Sequence, residues 1–307
     1  MNRRKEMVSL MLPTFSEMIA GPYSPLYVET YGDPDAEQTL LLLHGGLQSL
    51  RCFRKQFAAL SEQCYVVALD LPYHGASVPV SPEIVPDPAV WVQSVRDVLS
   101  HLHLLEKPLV ILAWSFGGLV AREYLLTYGQ EHLEGLILVG SLFGGLQAYQ
   151  HFLPEDTLQA ISTMTTSKEA LSDRLSAFEQ FVHLLTYRPL DPDETYAQYG
   201  YNAKAFLHSF EVTDYWLEEL PCDQQQFLSQ VQIPTLLIQG LNDGLVPLAY
   251  TRQLALSLPQ SQVLEYEHCG HSPFLECPDR FNRDVLRFLA TLDQHAPTLL
   301  LSEPQTI

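Results

Sequence analysis

Short apolar runs alternate with longer segments of helical periodicity along most of the chain. The apolar runs predict strands at 25–31, 39–43, 65–69, 108–113, 136–139, 235–238 and 262–266. The periodic segments predict helices at 51–60, 88–105, 119–128, 248–258 and 274–292. Strands that are apolar on both faces are typical of a parallel sheet covered by helices on its two sides. The pattern therefore predicts an α/β fold with a mostly parallel sheet.

The alternation stops between residues 143 and 230, where helical pieces are predicted over 168–185 and 203–220. Within it, residues 149–216 hold 12 of the 32 aromatic residues of the chain, which is typical of a helical lid over the strand ends. Alternatively it is an ordinary helical subdomain, and most of its aromatic side chains are expected to form its own core. The predicted boundaries are an N-terminal extension 1–20, a core of 21–142 and 231–292, a lid 143–230 and a tail 293–307.

Composition limits the possible partners. The 36 acidic residues outnumber the 17 basic residues and give a formal net charge of −19, which argues against binding to nucleic acid or to an anionic membrane. No apolar run approaches the roughly 20 residues of a membrane span, and polar residues break the mildly apolar N-terminus, so we expect a cytoplasmic protein. The five cysteines are scattered without a C-x-x-C pair, so neither a zinc site nor a disulfide framework is indicated.

Residues 113–118, Ala-Trp-Ser-Phe-Gly-Gly, join a buried strand to a helix. Small residues on either side of Ser115 allow a sharp, strained turn that exposes the hydroxyl beside a helix N-terminus. Backbone N–H groups and the helix dipole at that place favour a developing oxyanion. The segment therefore indicates a nucleophilic serine, although a plain strand–turn–helix that happens to contain serine has the same pattern.

A serine hydroxyl needs a base to accept its proton and a carboxylate to orient that base. Asp243 follows the 235–238 strand, and His271 follows the 262–266 strand. Because the carboxyl ends of parallel strands meet at one edge of a sheet, both are expected near Ser115. Loops that follow other predicted strands carry Asp70, a second candidate for the acid, and His44, a second candidate for the base. His268, three residues before His271, is a further candidate for the base.

Five motifs in order resemble the α/β-hydrolase superfamily over about residues 25–290. They are His-Gly-Gly-Leu at 44–47, Asp-Leu-Pro-Tyr-His-Gly-Ala-Ser at 70–77, the 113–118 segment, Gly-Leu-Asn-Asp at 240–243 and Gly-His-Ser-Pro at 270–273. The elbow resembles that of small carboxylesterases, including the pimeloyl carrier-protein methyl ester esterase group. The resemblance implies an α/β-hydrolase fold with a helical lid inserted after its sixth strand.

The same resemblance assigns roles to residues. Ser115 is expected as nucleophile, Asp243 as acid and His271 as base, the last preferred over His268 because Gly270 precedes it. The resemblance makes the segments around His44 and Asp70 structural loops. The oxyanion hole is expected to combine the N–H of Phe116 with that of Gly46, or with that of Leu47 if the double glycine shifts the register. Serine at the nucleophile position argues against the dehalogenase and epoxide-hydrolase branches, and no metal or organic cofactor is implied.

The expected reaction is hydrolysis of a small, mostly apolar ester, thioester, lactone or amide through an acyl-enzyme. Residues 145–225 contain thirteen acidic and only four basic side chains, which argues against docking of an acidic acyl carrier protein. The same triad also serves carbon–carbon bond hydrolysis of ring-cleavage products and cofactor-free perhydrolase or haloperoxidase chemistry. A non-catalytic ligand receptor and a purely structural elbow are also compatible with the sequence. The sequence leaves the oligomeric state open.

Overall fold

The computed structural model describes residues 11–21, 23–77, 87–165, 169–195, 197, 200 and 220–293. Its strands are β1 Phe15–Ala20, β2 Pro25–Tyr31, β3 Thr39–Leu43, β4 Tyr65–Leu69, β5 Leu109–Trp114, β6 Leu133–Val139, β7 Thr235–Gly240 and β8 Ser261–Tyr266. They form one eight-stranded sheet in the order β1-β2-β4-β3-β5-β6-β7-β8. Strands β3 to β8 are parallel, whereas β2 is antiparallel to both of its neighbours.

Helices connect the strands and cover the sheet. They are α1 Phe57–Leu60, α2 Pro88–His101, α3 Phe116–Tyr128, α4 Leu146–Gln150, α5 Glu155–Thr165, α6 Leu171–Leu184, α7 Gln224–Gln230, α8 Leu248–Ser257, α9 Pro273–Glu276 and α10 Pro278–Asp293. Strands β3, β4 and β5 are buried along their whole length, which explains why they lack polar alternation. The predicted α/β-hydrolase fold is confirmed. None of the described helices combines the length and apolar character that a membrane span requires.

The N-terminal prediction was wrong for residues 15–20. We expected a loose extension through residue 20, but Phe15–Ala20 pairs antiparallel with β2 over six residue pairs. Only Ile19 of this edge strand is buried, so its sequence carries no alternation that would reveal a strand. The strand forms because the backbone of β2 has a free edge on which residues 15–20 can pair. Residues 1–10 lie outside the described part of the chain.

Two predicted helices are interrupted. The helix expected at 51–60 is a 3-10 turn at Leu50–Phe53 followed by the short α1. The helix expected at 274–292 is divided into α9 and α10 at Cys277, whose φ is −131°. Pro278 explains this break, because proline has no N–H to donate and disfavours helical backbone in the residue before it.

The insert between β6 and β7 is helical where it is described, with α4, α5, α6 and α7 and no strand among its described residues. Most of the second predicted helix, 203–220, lies outside them. Tyr149 and Phe178 are buried in the hydrophobic core, and the ring of Tyr149 packs against Tyr250 of α8, outside the insert. The covering role of the insert stays a prediction.

Candidate active site

The predicted site residues lie at one edge of the sheet. Ser115 separates β5 from α3, and Gly46 follows β3. Asp243 follows β7, and His271 follows β8. All four strands are parallel, so their carboxyl ends, and the loops that leave them, face the same side.

Ser115 has the backbone of a strained turn. Its φ is +53° and its ψ is −119°, a conformation that residues other than glycine rarely adopt. Its N–H donates to the Val139 carbonyl at 3.0 Å, and its own carbonyl accepts the N–H of Leu142 at 3.0 Å. A Cβ at Gly117 would lie 2.4 Å from the carbonyl oxygen of Leu43, so the elbow requires glycine there. The side chain of Ser115 is thus held at the strand tip, in a residue that is only partly buried.

Nδ1 of His271 lies 2.8 Å from Oδ2 of Asp243, and both side chains are only 1% exposed. A hydrogen bond from Nδ1–H to the carboxylate leaves Nε2 as the acceptor nitrogen of a neutral imidazole. The loop that carries His271 is held by Trp114, whose indole Nε1–H donates to the His271 carbonyl at 2.9 Å. Trp114 itself lies in the core and is 1% exposed.

Four donors surround the carboxylate of Asp243. Oδ1 accepts the N–H groups of Leu245 and Val246, each at 2.8 Å. Oδ2 accepts from Nε2 of Gln239 at 2.9 Å as well as from His271. Hydrogen bonds of this kind fix the orientation of a carboxylate. The carboxylate of Asp243 is therefore held in one orientation, with Oδ2 toward Nδ1 of His271.

The loop after β3 distinguishes the two candidates for the second oxyanion donor. The N–H of Leu47 donates to Nε2 of His74 at 3.0 Å and is thereby occupied. No residue in the described part of the chain accepts a hydrogen bond from the N–H of Gly46. A Cβ at Gly45 would lie 3.2 Å from Cβ of Ser115, so the loop passes directly beside the serine. Of the two N–H groups, that of Gly46 is the one without an acceptor among the described residues.

His44 and His74 are both fully buried, with ring centroids 4.9 Å apart. Nε2 of His44 accepts the N–H of Leu71 at 3.0 Å, so each ring accepts a backbone hydrogen bond. Burial lowers the pKa of His44 to about 4 and that of His74 well below its ordinary value. Both rings are therefore neutral acceptors that shape loops.

Asp70 and His268 do not take part in the Asp243–His271 pair. The carboxylate of Asp70 accepts the N–H groups of Leu50 and Ala76, each at 2.7 Å, and burial raises its pKa to about 6. Asp70 thus holds together two loops instead of orienting a histidine. His268 is exposed and stacks on the ring of Tyr187 at 5.9 Å.

Sequence reasoning missed Gln239, which is fully buried at the end of β7. The one signal for it is an amide inside the otherwise apolar run Thr-Leu-Leu-Ile-Gln. A buried amide needs partners, and such partners are found where loops with polar groups meet.

Comparisons with known proteins identify the family to which the chain is similar. Residues 38–278 match the family described as having the alpha/beta hydrolase fold. The pimeloyl-[acyl-carrier protein] methyl ester esterase of Proteus mirabilis is 27% identical over 267 residues, which cover 85% of this chain and 95% of that protein. The proline iminopeptidase of Lactobacillus helveticus is 25% identical over 312 residues, which cover 91% of this chain and 99% of that protein. The crystal structure of an esterase from Rhodococcus superimposes on this chain with a TM-score of 0.75 and 25% identity. The match covers 88% of this chain and 96% of the esterase chain.

The chain belongs to the α/β-hydrolase fold family. Its relatives and structural neighbours in that family are esterases and other hydrolases, and this chain is likewise an enzyme, an α/β-fold hydrolase.

Proposed function

We propose that this enzyme hydrolyses small, mostly apolar carboxylic esters, or related thioesters, lactones or amides, through an acyl-enzyme intermediate. Ser115 is the proposed nucleophile, His271 the base and Asp243 the acid. The N–H groups of Gly46 and Phe116 form the proposed oxyanion hole. The observation that carries the proposal is a serine at φ +53° on the sheet edge where a buried His271–Asp243 pair also lies.

In the first half-reaction, Oγ of Ser115 forms a bond to the substrate carbonyl carbon while its proton passes to Nε2 of His271. The carbonyl oxygen becomes an oxyanion and accepts hydrogen bonds from the two backbone N–H groups. Asp243 stabilises the imidazolium through Nδ1–H. The bond to the leaving group then breaks, and His271 returns the proton to the departing oxygen, sulfur or nitrogen.

In the second half-reaction, water replaces the leaving group. His271 accepts a proton from water as its oxygen bonds to the acyl carbon, and the oxyanion forms again in the same hole. When this intermediate collapses, the bond to Ser115 Oγ breaks and His271 returns the proton to the serine. The products are a carboxylic acid and the free enzyme.

The proposed substrate is a small molecule that is not attached to a carrier protein. The relative from Proteus mirabilis bears the name of an enzyme for a carrier-linked ester, but the acidic insert of this chain would repel an acidic carrier. The test compares the free dimethyl ester of a short dicarboxylic acid with the monomethyl ester of the same acid linked to acyl carrier protein, at low and high salt. A carrier-linked ester that is cleaved with much the higher kcat/KM would overturn this part of the proposal.

The main test is hydrolysis of p-nitrophenyl esters of increasing acyl length by wild type, Ser115→Ala and Ser100→Ala. Removing a nucleophilic serine of a triad lowers turnover on the order of 10⁴- to 10⁶-fold. The control removes an exposed hydroxyl from α2 and should leave turnover unchanged. Wild-type activity that survives in Ser115→Ala would contradict the assignment. The preferred acyl length measures the size of the pocket.

Absence of ester cleavage by the wild type would favour a different function. Turnover of a vinylogous diketone would indicate carbon–carbon bond hydrolysis, and peroxide-dependent bromination in acetate would indicate perhydrolase chemistry. Ligand binding without turnover that is unchanged in Ser115→Ala would indicate a receptor. The cytoplasmic location stays a prediction.

A further inference from the structure

Glu276 ends α9, five residues after His271, and belongs to none of the groups with a proposed chemical role. Its Oε1 accepts the N–H of Gly270, the residue that precedes His271, at 2.7 Å. The thiol of Cys269 is 3.7 Å from the same oxygen. One carboxylate oxygen is therefore committed to the loop that carries the proposed base.

The second oxygen of Glu276 reaches into the insert. Oε2 accepts the N–H of Tyr187 at 2.9 Å and that of Arg188 at 3.3 Å. Both residues follow α6 and lie 89 and 88 positions before Glu276 in the chain. The carboxylate thus joins the insert to the His271 loop through backbone donors. No cationic side chain in the described ranges forms an ion pair with it.

The two backbones also touch directly. A Cβ at Gly270 would lie 2.5 Å from the nitrogen of Tyr187 and 2.7 Å from the carbonyl carbon of Thr186, so only glycine leaves room for this approach. The ring of Tyr187 stacks on the imidazole of His268, with 29° between their planes. Insert and loop are therefore packed closely at Gly270 and at His268, so a displacement of one segment displaces the other.

We propose that Glu276 is a positioning residue that locks the insert to the His271 loop, so that the segment expected to cover the substrate and the proposed base are held as one unit. This inference rests on the proposed function for its catalytic consequence. It predicts that weakening the carboxylate contacts loosens both segments together and reduces the rate at which Ser115 reacts. Glutamine at this position retains one acceptor oxygen, whereas alanine retains none.

The experiment compares wild type, Glu276→Gln, Glu276→Ala and the control Glu267→Gln, which removes an exposed carboxylate from the same connection. Hydrogen–deuterium exchange is followed for peptides containing residues 186–188 and 269–271. The rate of fluorophosphonate labelling at Ser115 and kcat/KM for p-nitrophenyl esters are measured on folded protein. We expect faster exchange in both peptides, and labelling and kcat/KM lowered about tenfold in Glu276→Gln and further in Glu276→Ala.

Unchanged exchange in either peptide would overturn the proposal. So would a lower melting temperature with wild-type labelling per folded molecule, because that result indicates a structural role alone. If wild type is neither labelled nor active, the serine-hydrolase proposal fails, and the exchange measurement still decides whether Glu276 joins the two segments. Glu276→Gln keeps the shape of the side chain, so the comparison stands even if Glu276→Ala does not fold.

Discussion

Nε2 of Gln239 donates a hydrogen bond to Oδ2 of Asp243 at 2.9 Å, the same oxygen that faces Nδ1 of His271. Oε1 of the Gln239 side chain accepts a hydrogen bond from the hydroxyl of Thr251 at 2.6 Å, so the side-chain amide cannot rotate by about 180° without losing both hydrogen bonds. Gln239 also donates to the Val246 carbonyl at 2.9 Å, next to one of the backbone groups that bind Asp243. The orientation of the proposed acid therefore depends on an amide from the interior of the sheet.

Gln239→Leu is expected to lower kcat/KM by about 10- to 100-fold, since a hydrogen bond to a charged group is lost and Asp243 can rotate. The decrease should lie mainly in kcat, because Gln239 is buried and not exposed to substrate. Steady-state kinetics on p-nitrophenyl esters measure it. Gln262→Leu, which removes an exposed amide from β8, is the control. Wild-type kcat in folded Gln239→Leu would contradict this role.

His74→Phe is expected to reduce activity through the oxyanion loop. The substitution removes the acceptor for the Leu47 N–H, and leaving that group unpaired inside the protein costs about 1–3 kcal/mol of folding free energy. His74→Gln provides an amide oxygen as acceptor and should retain more activity and stability. Thermal unfolding and kcat/KM, measured on both variants, provide the comparison. Equal effects of phenylalanine and glutamine would show that the hydrogen bond is not the reason.

Gly140→Ala is expected to disturb the His271–Asp243 pair. Gly140 has φ +44°, and a Cβ there would lie 2.9 Å from Nδ1 of His271 and 3.0 Å from Oδ2 of Asp243. A displacement near 1 Å in a catalytic group can lower the rate about 10²-fold. Gly129→Ala is the matched control, because φ is +75° and no atom lies within 4 Å of the added carbon. Both substitutions introduce backbone strain, but only Gly140→Ala should lower ester hydrolysis. Measuring kcat/KM for p-nitrophenyl esters on both variants tests this.

The buried His44 predicts a dependence of stability on pH. Its folded pKa is about 4 and its unfolded pKa is about 6.5, so the unfolded chain binds more protons between these values. The stability present above about pH 6.5 is therefore lost as the pH falls through 4, by up to about 3 kcal/mol. Asp70 acts in the opposite direction, because its raised pKa of about 6 favours the folded state as the pH falls.

Comparison with His44→Gln separates the two effects. Glutamine retains an acceptor for the Leu71 N–H but does not titrate, while Asp70 is present in both proteins. The stability of wild type relative to His44→Gln should fall between about pH 7 and about pH 4.5. Urea unfolding at the two values measures the difference. Parallel pH dependences of the two proteins would disprove the assignment to His44.

The sequence predicted the sheet well where the strands are buried. The runs at 39–43 and 65–69 match β3 and β4 because a strand covered on both faces must be apolar throughout. The edge strand β1 was missed because four of its first five residues have exposed side chains. The candidate residues Ser115, Asp243 and His271 were predicted from strand ends and motifs, and they lie at the expected edge.

The supporting groups were not predictable in the same way. Gln239, His74 and Glu276 act through contacts with residues 4, 27 and up to 89 positions away, respectively. Nothing in a linear pattern states which backbone N–H a buried imidazole accepts from. For the same reason the sequence leaves the choice between Gly46 and Leu47 open, and the hydrogen bond from the Leu47 N–H to His74 favours Gly46.

The sequence by itself determined the type of fold and the chemistry available to it. Apolar periodicity determines which segments become strands. Because these strands are parallel, the serine, the carboxylate and the imidazole that follow them lie at one edge of the sheet. The tertiary structure alone decided how those groups are oriented, because orientation comes from hydrogen bonds between segments that are far apart along the chain. A buried polar group must find a partner wherever packing provides one, and that partner is set by the folded chain as a whole.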